Sequence, residues 1–184
     1  MKNQSSVHAD ELNVFITSEI KSNGIGKVIL SMILSGGFML FIYLFVSLDF
    51  KEMGKSSIPI ILIPAAFLFF FIRYLLWNIY GQEHIIINSK SLTYYYCYGF
   101  FRTQATTVLH RKLTIDYIVT DRVEDEDFGR MSFVSYDANT NLPEVIHKTA
   151  VEINDPTAAK VQRLLAKVIF TEYSEEKGFR IFDN

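Results

Sequence analysis

Cysteine, clustered histidine and charge excess are what this chain of 184 residues has least of. One cysteine, Cys97, makes neither an extracellular disulfide framework nor a zinc quartet. His8, His84, His110 and His147 have no helical i, i+4 partner and no His-Glu-x-x-His run, so the zinc-protease pattern is absent. The "NGIGK" stretch lacks phosphate-loop spacing, and no strand is expected before it. No Gly-x-Ser-x-Gly elbow occurs, and no repeat at solenoid spacing. The 18 Lys/Arg and 20 Asp/Glu nearly cancel, to a net −2. Without a basic stripe, nucleic acid is not an expected partner.

Long apolar runs are what the chain does have. Val28 to Leu48, "VILSMILSGGFMLFIYLFVSL", carries no charge. As a helix it would be about 31 Å long, which matches a bilayer core. Ile58 to Ile72 is followed by Arg73 and "YLLWNIY", a second span of similar reach. Two buried helices of a soluble bundle would keep a polar stripe, and these do not. Trp77, Tyr74 and Tyr80 end the second span, and Tyr43 and Phe45 sit near the end of the first, where aromatic rings favour headgroup level. Arg73, a turn or two from the end, reads either as a residue whose stem lifts its charge to the interface or as a functional intramembrane arginine. The first span lies far from the start and lacks a small-residue cleavage site, unlike a secretory signal. Ser31, Ser35, Gly36 and Gly37 would allow close helix contact, with the second span or with another copy.

Lys21 and Lys27 precede the first span, and Arg73, Arg102, Arg111 and Lys112 accompany or follow the second. The connection "DFKEMGKSS" has Lys51 and Lys55. This mild bias orients both termini to the cytoplasm with the hairpin tip outside. The sequence therefore divides into an N-terminal cytoplasmic segment 1–27, a two-helix transmembrane hairpin 28–80, and a cytoplasmic domain 81–184. In the first segment Val14, Ile16 and Ile20 are too sparse for a core element, which leaves open a short strand, a surface helix or a loose tail.

After Tyr80 the period changes to two. "EHIIIN" and "LTYYYCYGF" read as strands around an "SKS" turn, followed by "FRTQATTVLH" and "RKLTIDYIVT". "DRVEDEDFG" reads as an acidic loop, "RMSFVSYD" as a strand, "ANTN" as a turn and "LPEVIHKTAVEI" as one further strand. Glu124 to Asp127 lacks the alternating ligand spacing and distal glutamate of a calcium loop. Asp155 and Pro156 start a helix whose Val161, Leu164, Leu165 and Val168 form one stripe. The fold class is thus α+β: a transmembrane hairpin, then an antiparallel sandwich or partly open barrel capped by a C-terminal helix.

That order, from about Val28 to Phe170, resembles the pleckstrin-homology-like domains of small bacterial membrane proteins in which a two-helix hairpin leads into the β-domain. The residues that carry the resemblance are "LLWNIYGQEHIIINSKSLTYYYCYGFFRTQATTVLHRKLTIDYIV" and "MSFVSYD…VEINDPTAAKVQRLLAKV". The "EDED" loop and the length of "ANTNLPEVIHK" depart from it.

The resemblance implies headgroup binding through basic residues near a strand-turn mouth. Candidate membrane, lipid or partner contacts are Arg73, Lys90, Arg102, Arg111 and Lys112. Residues 81–184 carry twelve Lys/Arg and fifteen Asp/Glu, a net −3 that opposes general attraction to an anionic leaflet. Tyr94, Tyr96 and Tyr98 alternate against Tyr95, and this run supplies candidate interface aromatics. The expectation is a non-catalytic scaffold at the bacterial inner membrane, with the bilayer and a protein as partners, self-association possible, and no cofactor. Its alternatives are a lipid-headgroup sensor and an enzyme whose site is not recognisable.

Overall fold

The structure, a computed structural model, describes residues 4–20, 24–47, 57–123, 125–137 and 140–179. Its elements are β1 (Gln4–Ala9), β2 (Val14–Glu19), α1 (Gly24–Ser47), α2 (Ser57–Tyr80), β3 (Gly81–Ile87) and β4 (Ser91–Tyr98). They continue with β5 (Phe101–Arg102), β6 (Thr106–Leu109), β7 (Leu113–Val123), β8 (Glu126–Tyr136), β9 (Pro143–Lys148), β10 (Ile153–Asn154) and α3 (Asp155–Phe179). One sheet runs β1-β2-β3-β4, with β5 and β6 both on the outer side of β4. The other runs β10-β8-β7, with β9 also on β8. All pairings are antiparallel.

The segment before the first apolar helix belongs to the sheet. Asp10 Oδ1 accepts the N–H groups of Leu12 at 2.9 Å and Asn13 at 2.6 Å, a side-chain-closed turn that reverses β1 into β2. These N–H groups hold the Asp10 carboxyl below the usual aspartate range. β2 then pairs with β3 from Val14↔Ile87 to Glu19↔Gln82. Val14 and Ile16 are fully buried, so the reading of them as too sparse for a core is corrected. Two inward positions suffice when a partner strand across a long sequence gap completes the layer.

Both ends of the helical hairpin therefore enter one sheet: β2 precedes α1, and β3 follows α2. The helices are long and apolar enough to cross a membrane. Their large apolar side chains face outward, with Met39 71%, Val46 77% and Ile63 69% exposed. A helix serving as the core of a soluble fold would bury such a surface. Leu34, Gly37, Phe41 and Leu44 form the half-buried seam of α1, and Gly37 meets Leu68 Cδ2 of α2, a Cβ at that glycine lying 3.4 Å away. Of the small residues singled out in the sequence, Ser31, Ser35 and Gly36 lie on the exposed side.

The core joins both sheets to α3. Val14, Ile16, Ile85, Ile87 and Leu92 meet Met131, Phe133 and Ile153, and Ala158, Val161, Leu165 and Val168 cover them. Each fully buried aliphatic side chain contributes roughly 1.5–3 kcal/mol. Lys160 Nζ donates to Val7 O at 2.8 Å, tying the helix to β1.

Three sequence expectations change. "FRTQATTVLH" makes two short strands, because Thr103 Oγ1 takes the ladder position and accepts Tyr96 N–H at 3.0 Å. "LPEVIHKTAVEI" also divides, because the Ala150 and Val151 amides turn away from β8 to a side chain of β3. The expected acidic loop is a β7–β8 hairpin with Asp125 in a left-handed conformation (φ 66). Asp121, Glu126 and Asp127 sit in strands, while Glu124 lies outside the described residues.

Candidate functional site

No linker separates α2 from β3, and Gly81 explains how. A Cβ at this position would collide with the Trp77 carbonyl oxygen and come 2.9 Å from the Trp77 ring. Glycine lets the strand begin against the last helical turn. The indole then packs on the returning strand, 5.6 Å from Tyr96 and 5.0 Å from Tyr98 between ring centroids. Arg73 extends from the preceding turn toward the same strand. Its Nη2 donates to Tyr98 Oη at 3.2 Å, and its guanidinium carbon lies 5.3 Å from the Tyr98 ring centroid.

Beside this seam is a groove of about 310 Å³. Phe69, Ile72, Arg73 and Leu76 of α2 form one wall; Tyr98, Phe101, Arg102 and Thr103 form the other. Gly99, at φ +73, makes the turn that brings β5 back alongside the helix, and a Cβ at this position would lie 3.3 Å from the Tyr80 ring. Phe100 and Phe101 at the tip are 77% and 60% exposed. Arg73 and Arg102 thus meet in one groove although 29 positions separate them in sequence. Among the described residues neither has a carboxylate within ion-pair distance.

The tyrosine run continues from the seam into the core. Tyr96 lies 6.1 Å from Tyr94, and Tyr94 stacks on His147 at 3.9 Å. His147 Nε2 is 3.0 Å from Glu83 Oε1, and the same carboxylate accepts the N–H groups of Ala150 at 2.9 Å and Val151 at 3.2 Å. With backbone amides donating to both oxygens, the imidazole tautomer that fits carries its proton on Nε2. Glu83 is on β3 and His147 on β9, so this polar group fastens one sheet to the other. Burial first, and then the Glu83 charge, push the Tyr96 hydroxyl up to about 12. Tyr95 points to the other face and stacks on His84 at 4.8 Å. None of the four tyrosines is fully exposed or fully buried.

Lys90, Arg111 and Lys112 lie elsewhere. β3 carries the chain about 20 Å from the end of α2 before the turn that contains Lys90. Asn88 Oδ1 closes that turn by accepting the N–H groups of Lys90 at 2.9 Å and Ser91 at 2.6 Å. Lys90, His110 and Arg111 line an open cleft of about 720 Å³ together with Leu109, Asp137, Glu144 and Val145. Leu109 is 78% and Val145 60% exposed. Lys112 lies beside it, its Nζ 4.9 Å from the Tyr136 ring centroid. The His110 ring is buried, and its nitrogens have no partner in hydrogen-bonding geometry among the described residues. Burial lowers the His110 pKa; the Asn88 and Ser91 backbone oxygens near the ring oppose this without reaching full hydrogen-bond geometry.

The five basic candidates therefore divide into two places, Arg73 with Arg102 and Lys90 with Arg111 and Lys112. Sequence reasoning missed Glu83 and His147, which sit 64 residues apart and pair only through the fold. No group of three or more metal-ligating side chains occurs among the described residues. No protein-family model and no curated protein matches this chain.

Proposed function

We propose that this is a membrane-anchored, non-catalytic interaction protein: α1 and α2 cross the bacterial inner membrane, and the β-domain is held against its cytoplasmic face. The single observation that carries the reading is the pairing of β2 with β3 across the helical hairpin. If the two apolar helices span a bilayer, both hairpin ends must emerge on the same side, because they share a sheet. The Lys and Arg flanks then favour the cytoplasm. The pleckstrin-homology-like resemblance belongs to this reading, supported by two antiparallel sheets followed by an amphipathic helix on their core.

The seam of Arg73, Trp77, Tyr96 and Tyr98 fixes the domain on α2 and suits a presenting platform better than a tethered, searching module. Its docking surface is the cleft at the Lys90 turn. Exposed Leu109 and Val145 flanked by charges of both signs suit a protein partner, whereas a headgroup pocket would gather cations alone. A photo-crosslinking side chain in place of Leu109, in the full chain in native membranes, tests this. The expected result is one discrete protein adduct that disappears with Arg111→Glu. Lipid adducts alone from that position would favour the headgroup-sensor alternative and sink the platform reading.

A further inference from the structure

The groove between the end of α2 and the β4–β5 turn combines features that a protein surface seldom keeps together. Two arginines line it without a carboxylate at ion-pair distance among the described residues, and the rest of its wall is largely apolar. Its place along the chain is equally specific. Arg73 stands seven residues before the end of α2, about 10 Å along the axis. Polar headgroups occupy about 5–8 Å on each side of a bilayer core. The backbone at Arg73 is therefore near the hydrocarbon boundary when Trp77 and Tyr80 are at headgroup level. Tyr98 Oη draws the guanidinium toward the strand that pairs with Gly81, and so toward the headgroup layer. Phe100 and Phe101, exposed beside the span, put the hairpin tip in the same layer.

From this geometry we infer that the groove binds the headgroup end of one anionic phospholipid of the surrounding bilayer. Arg73 and Arg102 face the phosphate, and Phe69, Ile72 and Phe101 line the first methylenes of its chains. Bidentate donation makes arginine suited to phosphate oxygens, and the apolar wall explains why a lipid rather than a free phosphate is the occupant. A zwitterionic headgroup would bring its own cation toward the two guanidinium groups; an anionic one does not. The inference rests on α2 spanning the membrane, and not on the docking role of the distal cleft.

Trp77 is the only tryptophan in the chain and packs directly on Tyr98 of the groove, so its fluorescence reports on the site. The test reconstitutes the full chain in phosphatidylcholine vesicles. These contain either brominated phosphatidylglycerol or brominated phosphatidylcholine at equal mole fraction. The expected result is an apparent preference for the anionic quencher of about tenfold, lost in Arg73→Gln/Arg102→Gln. An unchanged Trp77 emission maximum and tryptic pattern would show that the variant is folded. Equal quenching by the two lipids in the unmodified protein would overturn the site while leaving the anchor intact. Quenching by neither would overturn both the site and the spanning reading.

Discussion

His147 Nε2 lies 3.0 Å from Glu83 Oε1, both side chains are almost wholly buried, and the two residues belong to different sheets. A buried carboxylate is costly unless its lone pairs are satisfied, and here the Ala150 and Val151 amides join the imidazole in doing so. Glu83→Ala should destabilise the domain by about 3 kcal/mol, because it strands the buried Val151 N–H and the buried His147 and removes the acceptor of the Ala150 N–H. Glu83→Gln, which keeps one acceptor oxygen, should cost less. Thermal melts of the full chain in nanodiscs check the order; equal stability of both variants to the original would contradict the inter-sheet tie.

Two of the three histidines outside this pair, His84 and His110, should make the fold sensitive to acid. Burial is the larger cause that lowers the pKa of both His84 and His110 below 6.5, with Glu19 opposing it at His84. The unfolded chain thus takes up more protons as pH falls. Stability should be full above about 6.5 and decline as pH drops through that value toward the folded pKa values. His110→Phe removes two buried nitrogens lacking partners in full geometry and should flatten the decline. A variant whose melting temperature falls as steeply with acid as the original would place the effect elsewhere.

Local sequence showed most of the elements. β3, β4, β7 and β8 fall on runs that read as strands, and α3 has an N-cap, a proline at its start and a stripe. Val161, Leu165 and Val168 of that stripe are buried as expected, and Leu164 packs at its margin. The β1–β2 hairpin was less legible because Val14 and Ile16 acquire their core only by pairing with a strand beyond both helices. The same limit applied to the sites. Arg73 and Arg102 were recognisable as cations, but only the turn at Gly99 puts them in one groove and leaves Lys90, Arg111 and Lys112 at the other end. Glu83 and His147 carry no local signal of each other.

Two substitutions test the packing that positions the domain. Val161→Asp puts a charge at a fully buried position of α3 and should cost on the order of 4 kcal/mol. Gly81→Ala forces a methyl group into Trp77 at the helix-strand junction and should cost about 2 kcal/mol. Limited proteolysis distinguishes them. The first should open the whole domain, the second mainly the junction. Original-like resistance in Val161→Asp would mean that α3 is not docked on the sheets.

Charge reversal at the distal end separates the two surfaces. Arg111→Glu/Lys112→Glu should abolish the protein adduct from position 109. Membrane insertion and the lipid preference read by Trp77 should stay as they are. A fall in anionic-lipid preference in this double variant would show that the cleft, and not the groove, meets the bilayer.

The most direct measurement of the central claim is sidedness. Compartment-specific reporters would be placed before Met1, within the Asp49–Ser56 connection and after Asn184 of the full chain. Because β2 and β3 share a sheet across the hairpin, both terminal reporters should read cytoplasmic and the connection should read external. Terminal reporters on opposite sides, or all three on one side, would contradict a membrane hairpin that closes on a single cytoplasmic domain.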